Sequence, residues 1–250
     1  MSNLEGAVTV RTMPPRAAKR DASKTGSKAD KGTKGERSRE HLSEVALRLF
    51  RKNGFERTTM RQIAEEAGTA LGAAYYYFPA KESILIGYYD ARLRELEAFV
   101  AETDLTELTV GERFRAVMHR RFETIARDRN LYEALASVTA DPKSPVGLFG
   151  KETAPLRARS REIFKLVLAP IDLDPVEEPL LLEALFLLEV ALHLYFVYDT
   201  SKGITRTHAL IDEVGSIIDD FIPLRAFAAP MFERIANLLK VAGIVLPATK

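Results

Sequence analysis

Residues 53–82 read NGFERTTMRQIAEEAGTALGAAYYYFPAKE, and the spacing within them decides the fold. Asn53-Gly54 reads as a helix C-cap, because glycine accepts the left-handed backbone on which helices end. Thr58-Thr59 then offers an N-cap to a short helix carrying Ile63, Ala64 and Ala67. Gly68 ends that helix, and a second one over 71–78 stops at Pro79, which cannot continue it. Ala64 and Ala74 are small enough for the two helices to cross closely, and Gly68 can take the positive φ that turns the chain between them. These are the requirements of a helix-turn-helix, whose second helix lies in the major groove while the first crosses the DNA backbone.

On either side of this stretch the pattern stays helical. Leu42, Val45, Ala46, Leu49 and Phe50 recur at spacings of three and four, an amphipathic stripe that ends at Asn53-Gly54. Further stripes run over 82–103, 110–128, 130–139, 152–169, 177–199, 207–222 and 230–242, with Asp141-Pro142, Asp174-Pro175, Lys202-Gly203 and Pro230 as turn signals. No strand alternation, internal repeat or glycine-rich phosphate loop interrupts them, so the expected class is all-α.

Composition narrows the chemistry. The 250 residues are 46% hydrophobic and 28% charged, typical of a globular chain, and the absence of cysteine excludes disulfides, thiolate metal sites and thiol nucleophiles. The net charge of +1 hides an asymmetry, because residues 1–35 hold eight basic and three acidic side chains and leave the remainder net acidic. Segment 1–35 has few large apolar residues with which to offset ordering entropy, and it reads as a disordered basic arm able to lie along nucleic acid. It lacks the apolar run of a secretory signal, and a cytoplasmic, DNA-associated protein is expected. Segment 180–198 is long enough to span a membrane, but Glu183, Glu189 and His193 interrupt it. A helix apolar on nearly every side is expected to be buried all round, between its own core and a second subunit, which makes a homodimer and no membrane span the expectation.

The string over 36–85 resembles the DNA-binding domain of the TetR family of bacterial regulators. Ala46, Leu49 and Phe50, then Asn53-Gly54-Phe55, Thr58-Thr59, Ile63-Ala64, Ala67-Gly68, Gly72 and the run Tyr75 to Glu82 follow the family pattern in order and spacing, over about a fifth of the chain. The resemblance implies an N-terminal three-helix helix-turn-helix domain over 36–82, with its motif at 59–78, and a larger helical ligand-binding and dimerisation domain over 83–250. It also implies DNA contacts from Thr59, Arg61, Thr69, Ala70, Leu71, Gly72, Ala73, Tyr76 and Lys81. Thr59 would bring a hydroxyl and a free helix-end amide to a phosphate, or simply cap its helix. Gly72 would allow close approach to DNA or close helix packing, and Lys81 matches the family's phosphate-binding lysine. Tyr75 and Phe78 are expected to seat the reading helix on the core. Ala70, Leu71 and Tyr77 depart from the family pattern. Short apolar side chains cannot make bidentate bonds to bases, so DNA shape and the basic arm gain weight in recognition.

The expected function is a dimeric regulator, a repressor released from a pseudo-palindromic operator by a small-molecule effector. A TetR-like activator, a regulator controlled by a protein partner and, from another class, a helical metalloenzyme are the alternatives. His119 with Glu123 and His208 with Asp212 read as solvated i,i+4 pairs, and neither they nor Glu189 with His193 has the Glu-x-x-His spacing of a carboxylate-bundle metal site. No catalytic residue, metal or cofactor is therefore assigned. Glu189 and His193, in apolar surroundings, are expected to bond each other or to anchor a ligand. Phe122, Tyr132, Tyr195 and Phe196 complete the candidate effector site, although aromatic residues at helical spacing are also ordinary core.

Overall fold

Thr33 opens the first helix of the computed structural model, which describes residues 33–241. The Thr33 hydroxyl accepts from the Glu36 amide at 3.2 Å while the Glu36 carboxylate accepts from the Thr33 amide at 2.5 Å, a capping box that starts α1 (Lys34–Asn53) inside the segment expected to be arm. The rest of that arm, residues 1–32, lies outside the described residues. Gly54, at φ 84°, ends α1 with its N–H on the Phe50 carbonyl at 2.9 Å. Then follow α2 (Met60–Glu66), α3 (Leu71–Tyr77) and α4 (Lys81–Glu102). Phe50, Ile63, Ala64, Ala74, Ile84 and Leu85 are buried together where these four helices meet.

The remaining helices are α5 (Val110–Ile125), α6 (Arg129–Ala140), α7 (Ala154–Leu168), α8 (Glu177–Tyr198), α9 (Thr205–Phe221) and α10 (Arg225–Val241), and no strand occurs among the described residues. The stripe expected over 110–128 stops at Ile125, and a single tight turn over Ala126–Asp128 leads into α6. Pro230 does not begin the last helix but lies inside it, which leaves the Ala226 carbonyl without its helical donor.

Helices α5 and α9 lie side by side because Gly111 and Gly215 carry no side chain there. A Cβ on Gly111 would stand 2.1 Å from the Gly215 carbonyl oxygen. Phe114, Met118, Phe122, Phe164 and Phe196 fill the core beneath them. Helix α8 is long and apolar enough to cross a membrane, but Leu185, Phe186, Glu189, Leu192 and Phe196 lie buried in this core. Its opposite face is open, with Leu187, Leu194, Tyr195 and Tyr198 exposed. One protomer therefore does not bury α8 on all sides, because a helix packed against a single layer of neighbours covers only one stripe.

Helix α6 joins the two cores. Leu131, Leu135 and Val138 on one face pack into the cluster built on α1, together with Leu42 and Ala46. Its other face turns toward the larger core, where Tyr132 packs on Phe196 with ring centroids 5.9 Å apart.

Candidate DNA-binding and effector sites

The turn between α2 and α3 is built as its residues dictate. Thr59 caps α2 through a second capping box, accepting from the Gln62 amide at 3.3 Å while the Gln62 side chain accepts from the Thr59 amide at 2.9 Å. Gly68 takes φ 62°, and the Ala67 and Thr69 amides close the turn on the Ile63 and Ala64 carbonyls, both at 2.9 Å. Ala64 and Ala74 are buried where the helices meet. The outer surface of the motif then carries Thr59 and Arg61 from α2, Ala70, and Gly72, Tyr75 and Tyr76 from α3, with Tyr76 82% exposed. Thr69, Leu71, Ala73 and Lys81 are half-buried, and Leu71 packs against the small core, which leaves it the least available of them to a base.

Three expectations change here. Tyr75 is exposed and does not seat α3, because Tyr77, packed against the small core with an edge-on contact to Tyr76, takes that place beside the buried Phe78. Gly72 meets nothing within 4 Å of a would-be Cβ, so no packing within the protomer requires glycine. Lys81 is already occupied. Its Nζ donates to the Phe55 carbonyl at 2.9 Å and the Glu56 carbonyl at 3.3 Å and lies 4.3 Å from the centre of the Phe55 ring, pinning the loop before α2 and leaving one N–H for a phosphate.

A cavity of about 280 Å³ lies among α4, α5, α6, α7 and α8. Three of the six candidate effector residues line it: Tyr132, Glu189 and His193. Phe122 and Phe196 are buried behind it, packed on each other with centroids 5.4 Å apart, and serve as core. Tyr195 points away because two residues along a helix from His193 is a turn of about 200°; it sits on the open face of α8.

Glu189 and His193 do not bond through their side chains. Glu189 pairs with Arg121 of α5 at 3.0 Å and accepts from the Ser160 hydroxyl at 3.1 Å, while His193 Nδ1 donates to the Glu189 backbone carbonyl at 2.8 Å. A guanidinium satisfies a buried carboxylate better than a neutral imidazole can. Burial holds the His193 pKa below its usual value, against the pull of Glu189, so the ring is neutral near pH 7. Sequence reasoning missed Arg121, although it falls on the apolar stripe of Phe114, Met118, Phe122 and Ile125, where a lone cation needs a buried acid as partner.

The other histidines also pair differently from expectation. His119 Nε2 donates to the Asp212 carboxylate at 2.7 Å and its Nδ1 lies 2.7 Å from His208 Nδ1, so the pairing runs between α5 and α9 and not along one helix. The glycine-permitted approach of these helices brings the rings within reach. Among the described residues no group of three or more His, Cys, Asp or Glu side chains is arranged to hold a metal ion.

Asp128, in the turn before α6, ties the small domain to the cavity wall. Its carboxylate takes Arg51 of α1 at 2.5 Å and the Tyr88 hydroxyl of α4 at 2.8 Å. Burial, followed by neighbouring Tyr132 and Asp128, raises the Tyr88 pKa and keeps it a hydrogen-bond donor. Tyr88 meets Tyr132 edge-on at 6.3 Å, and Tyr132 stacks on His193 at 5.8 Å. A continuous run of contacts therefore leads from the cavity to α1.

Residues 42–88 match the family model described as bacterial regulatory proteins, tetR family. The chain is 30% identical over 90 residues to the fatty acid metabolism regulator protein of Bacillus subtilis, covering 36% of this chain and 46% of that protein. It is 32% identical over 121 residues to the transcriptional repressor KstR of Mycolicibacterium smegmatis, covering 46% of this chain and 58% of that one. It thus spans about half the length of these curated relatives. Among solved structures, a TetR-family regulator from Syntrophomonas wolfei superposes with a TM-score of 0.63 over 76% of this chain and 98% of that one, at 18% identity. The FadR regulator of Bacillus subtilis, in complex with stearoyl-CoA, superposes with a TM-score of 0.56 over 70% and 96%, at 19% identity. These likenesses extend the shared fold beyond the small domain. By its helix-turn-helix and the sequence around it, the segment 42–88 is a DNA-binding domain of the tetR family of bacterial regulatory proteins, and the helices that follow it share the fold of solved regulators of that family.

Proposed function

We propose that the protein is a homodimeric transcriptional repressor of the cytoplasm that holds a pseudo-palindromic operator with α3 and leaves it when a small molecule enters the cavity. The observation that carries this reading is the double role of α6. One face belongs to the core of the DNA-binding domain through Leu131, Leu135 and Val138, and the other lines the cavity through Tyr132, Ala136 and Thr139. A ligand that moves this wall must also move α1, to which Asp128 and Arg51 tie it. The ligand shifts the equilibrium only by its preference for the DNA-incompetent arrangement over the competent one.

In the complex, α3 enters the major groove with Gly72 allowing close backbone approach and Tyr76 reaching a phosphate or base edge, while Thr59, Arg61 and the last N–H of Lys81 bind phosphates. The exposed face of α8, with Leu187, Leu194 and Tyr198, and the exposed Ile217 and Phe221 of α9 support a subunit interface. Two reading heads then fall on half-sites related by two-fold symmetry. Two of the similar proteins are named as transcriptional regulators, one of them seen with stearoyl-CoA, which supports an apolar cavity as the effector site. Selection of bound duplexes from random DNA tests the proposal. The expected result is enrichment of a two-fold symmetric sequence bound by a dimer; failure to enrich any sequence contradicts it.

A further inference from the structure

The cavity is lined mostly by apolar groups, but it holds more positive charge than its own carboxylate neutralises. Arg121 and Glu189 form one closed pair, with Arg121 Nη2 donating to the Ser160 hydroxyl at 3.2 Å. Two more guanidinium groups line the same space, Arg92 from α4 and Arg157 from α7. Arg92 spends one Nη on Glu95, at 2.6 Å and toward the surface. Arg157 gives Nη1 to the Leu148 and Gly150 carbonyls, at 2.8 and 3.0 Å, and to the Thr153 hydroxyl, at 2.7 Å. Among the described residues no carboxylate pairs with it. Burial, then the nearby Arg161, lower the Arg157 pKa against the pull of Glu183, whose carboxylate is bonded to Arg161.

The donors tell the same story. The Nε–H groups of Arg92 and Arg121 are buried without an acceptor. Such atoms are rare in folded proteins because a lost hydrogen bond to water is not replaced. Arg161 and Arg225 also carry one each but do not line the cavity, so the orphan donors by themselves would not single it out. Here they coincide with an unneutralised guanidinium and an apolar space.

From this coincidence we infer that the cavity binds an amphipathic carboxylate, its apolar body among Leu93, Leu156, Phe186 and Val190 and its carboxylate on the guanidinium groups of Arg92 and Arg157. The inference rests on the reading of the cavity as the effector site and names the ligand's chemical class. A carboxylate suits the place because its two oxygens accept several N–H donors at once while supplying the missing negative charge. Neutral His193 adds no competing cation and presents its ring to the apolar body.

Decanoate and decan-1-ol, equal in chain length and differing in the head, separate the inference from the reading beneath it. Titration calorimetry of the full chain near neutral pH is expected to show one decanoate per protomer, bound at least about tenfold more tightly than decan-1-ol. In Arg92→Gln and Arg157→Gln, examined separately so that one misfolded variant does not decide the matter, the ratio of decanoate to decan-1-ol affinity should shrink. Arg121 is left in place, since its loss would strand Glu189. Equal affinity of the two probes, or an undiminished preference in both folded variants, overturns the carboxylate assignment and leaves the effector reading standing. Binding of neither probe counts against both.

Discussion

Gly72 and Tyr76 separate recognition from stability, since neither is needed for packing. A Cβ at Gly72 meets open space and Tyr76 is 82% exposed, so Gly72→Ala and Tyr76→Ala should leave the unfolding free energy within about 0.5 kcal/mol of the native protein. Both should weaken operator binding, and binding isotherms beside thermal melts check this. Lys81→Ala should do both kinds of damage, because its ammonium holds the Phe55 and Glu56 carbonyls and, in the proposed complex, also binds a phosphate. Histidine titration gives a second expectation. His193 is held below its usual pKa by burial, and His208 by burial and then by His119. The unfolded chain takes up these protons in the ordinary histidine range while the folded chain resists until lower pH. Their contribution to stability is therefore full above that range and is lost as pH falls through it toward the folded values. Melting midpoints should drop between about pH 7.5 and about pH 5.5, and less steeply in His193→Gln. An unchanged slope in that variant would show that the imidazole is not the group responsible.

Helix α8 shows which features a sequence announces and which it conceals. Its apolar run was legible, as were the caps at Thr59 and Gly68 and the alanines between α2 and α3, because each depends on neighbours a few positions away. The capping box Thr33–Glu36 was equally local and lay unread inside a charged tail. The cavity was not legible. It takes one wall from each of five helices, and Arg92, Arg121 and Arg157 come to line one space only when α4, α5 and α7 pack together. Glu189 found Arg121 instead of His193 for the same reason. The open stripe of α8 at Leu187, Leu194 and Tyr198 predicts that Leu187→Arg disrupts the dimer, since an unpaired buried guanidinium costs about 3–5 kcal/mol at such a contact. Sedimentation of this variant as a stable dimer would move the interface elsewhere.

Two hydrophobic cores and one shared helix make the protein a candidate for two arrangements. The small core positions α3, the large core encloses the cavity, and α6 contributes to both. Asp128 adds a polar tie at its start, through Arg51 and Tyr88. Packed interfaces of this kind shift between discrete arrangements instead of deforming continuously, so occupancy on one side of α6 is felt on the other. Contiguity alone does not establish coupling, which needs a perturbation on one side and a reading on the other. Ala136 offers that perturbation without any knowledge of the effector, because it lies on α6 and lines the cavity. Ala136→Phe places a ring in the space a ligand would fill, on a helix outside the helix-turn-helix. Measured against the selected operator by fluorescence anisotropy, this variant should remain a folded dimer and bind DNA about tenfold more weakly, a change of about 1.4 kcal/mol. A folded Ala136→Phe dimer with native affinity would contradict the coupling of cavity to reading head.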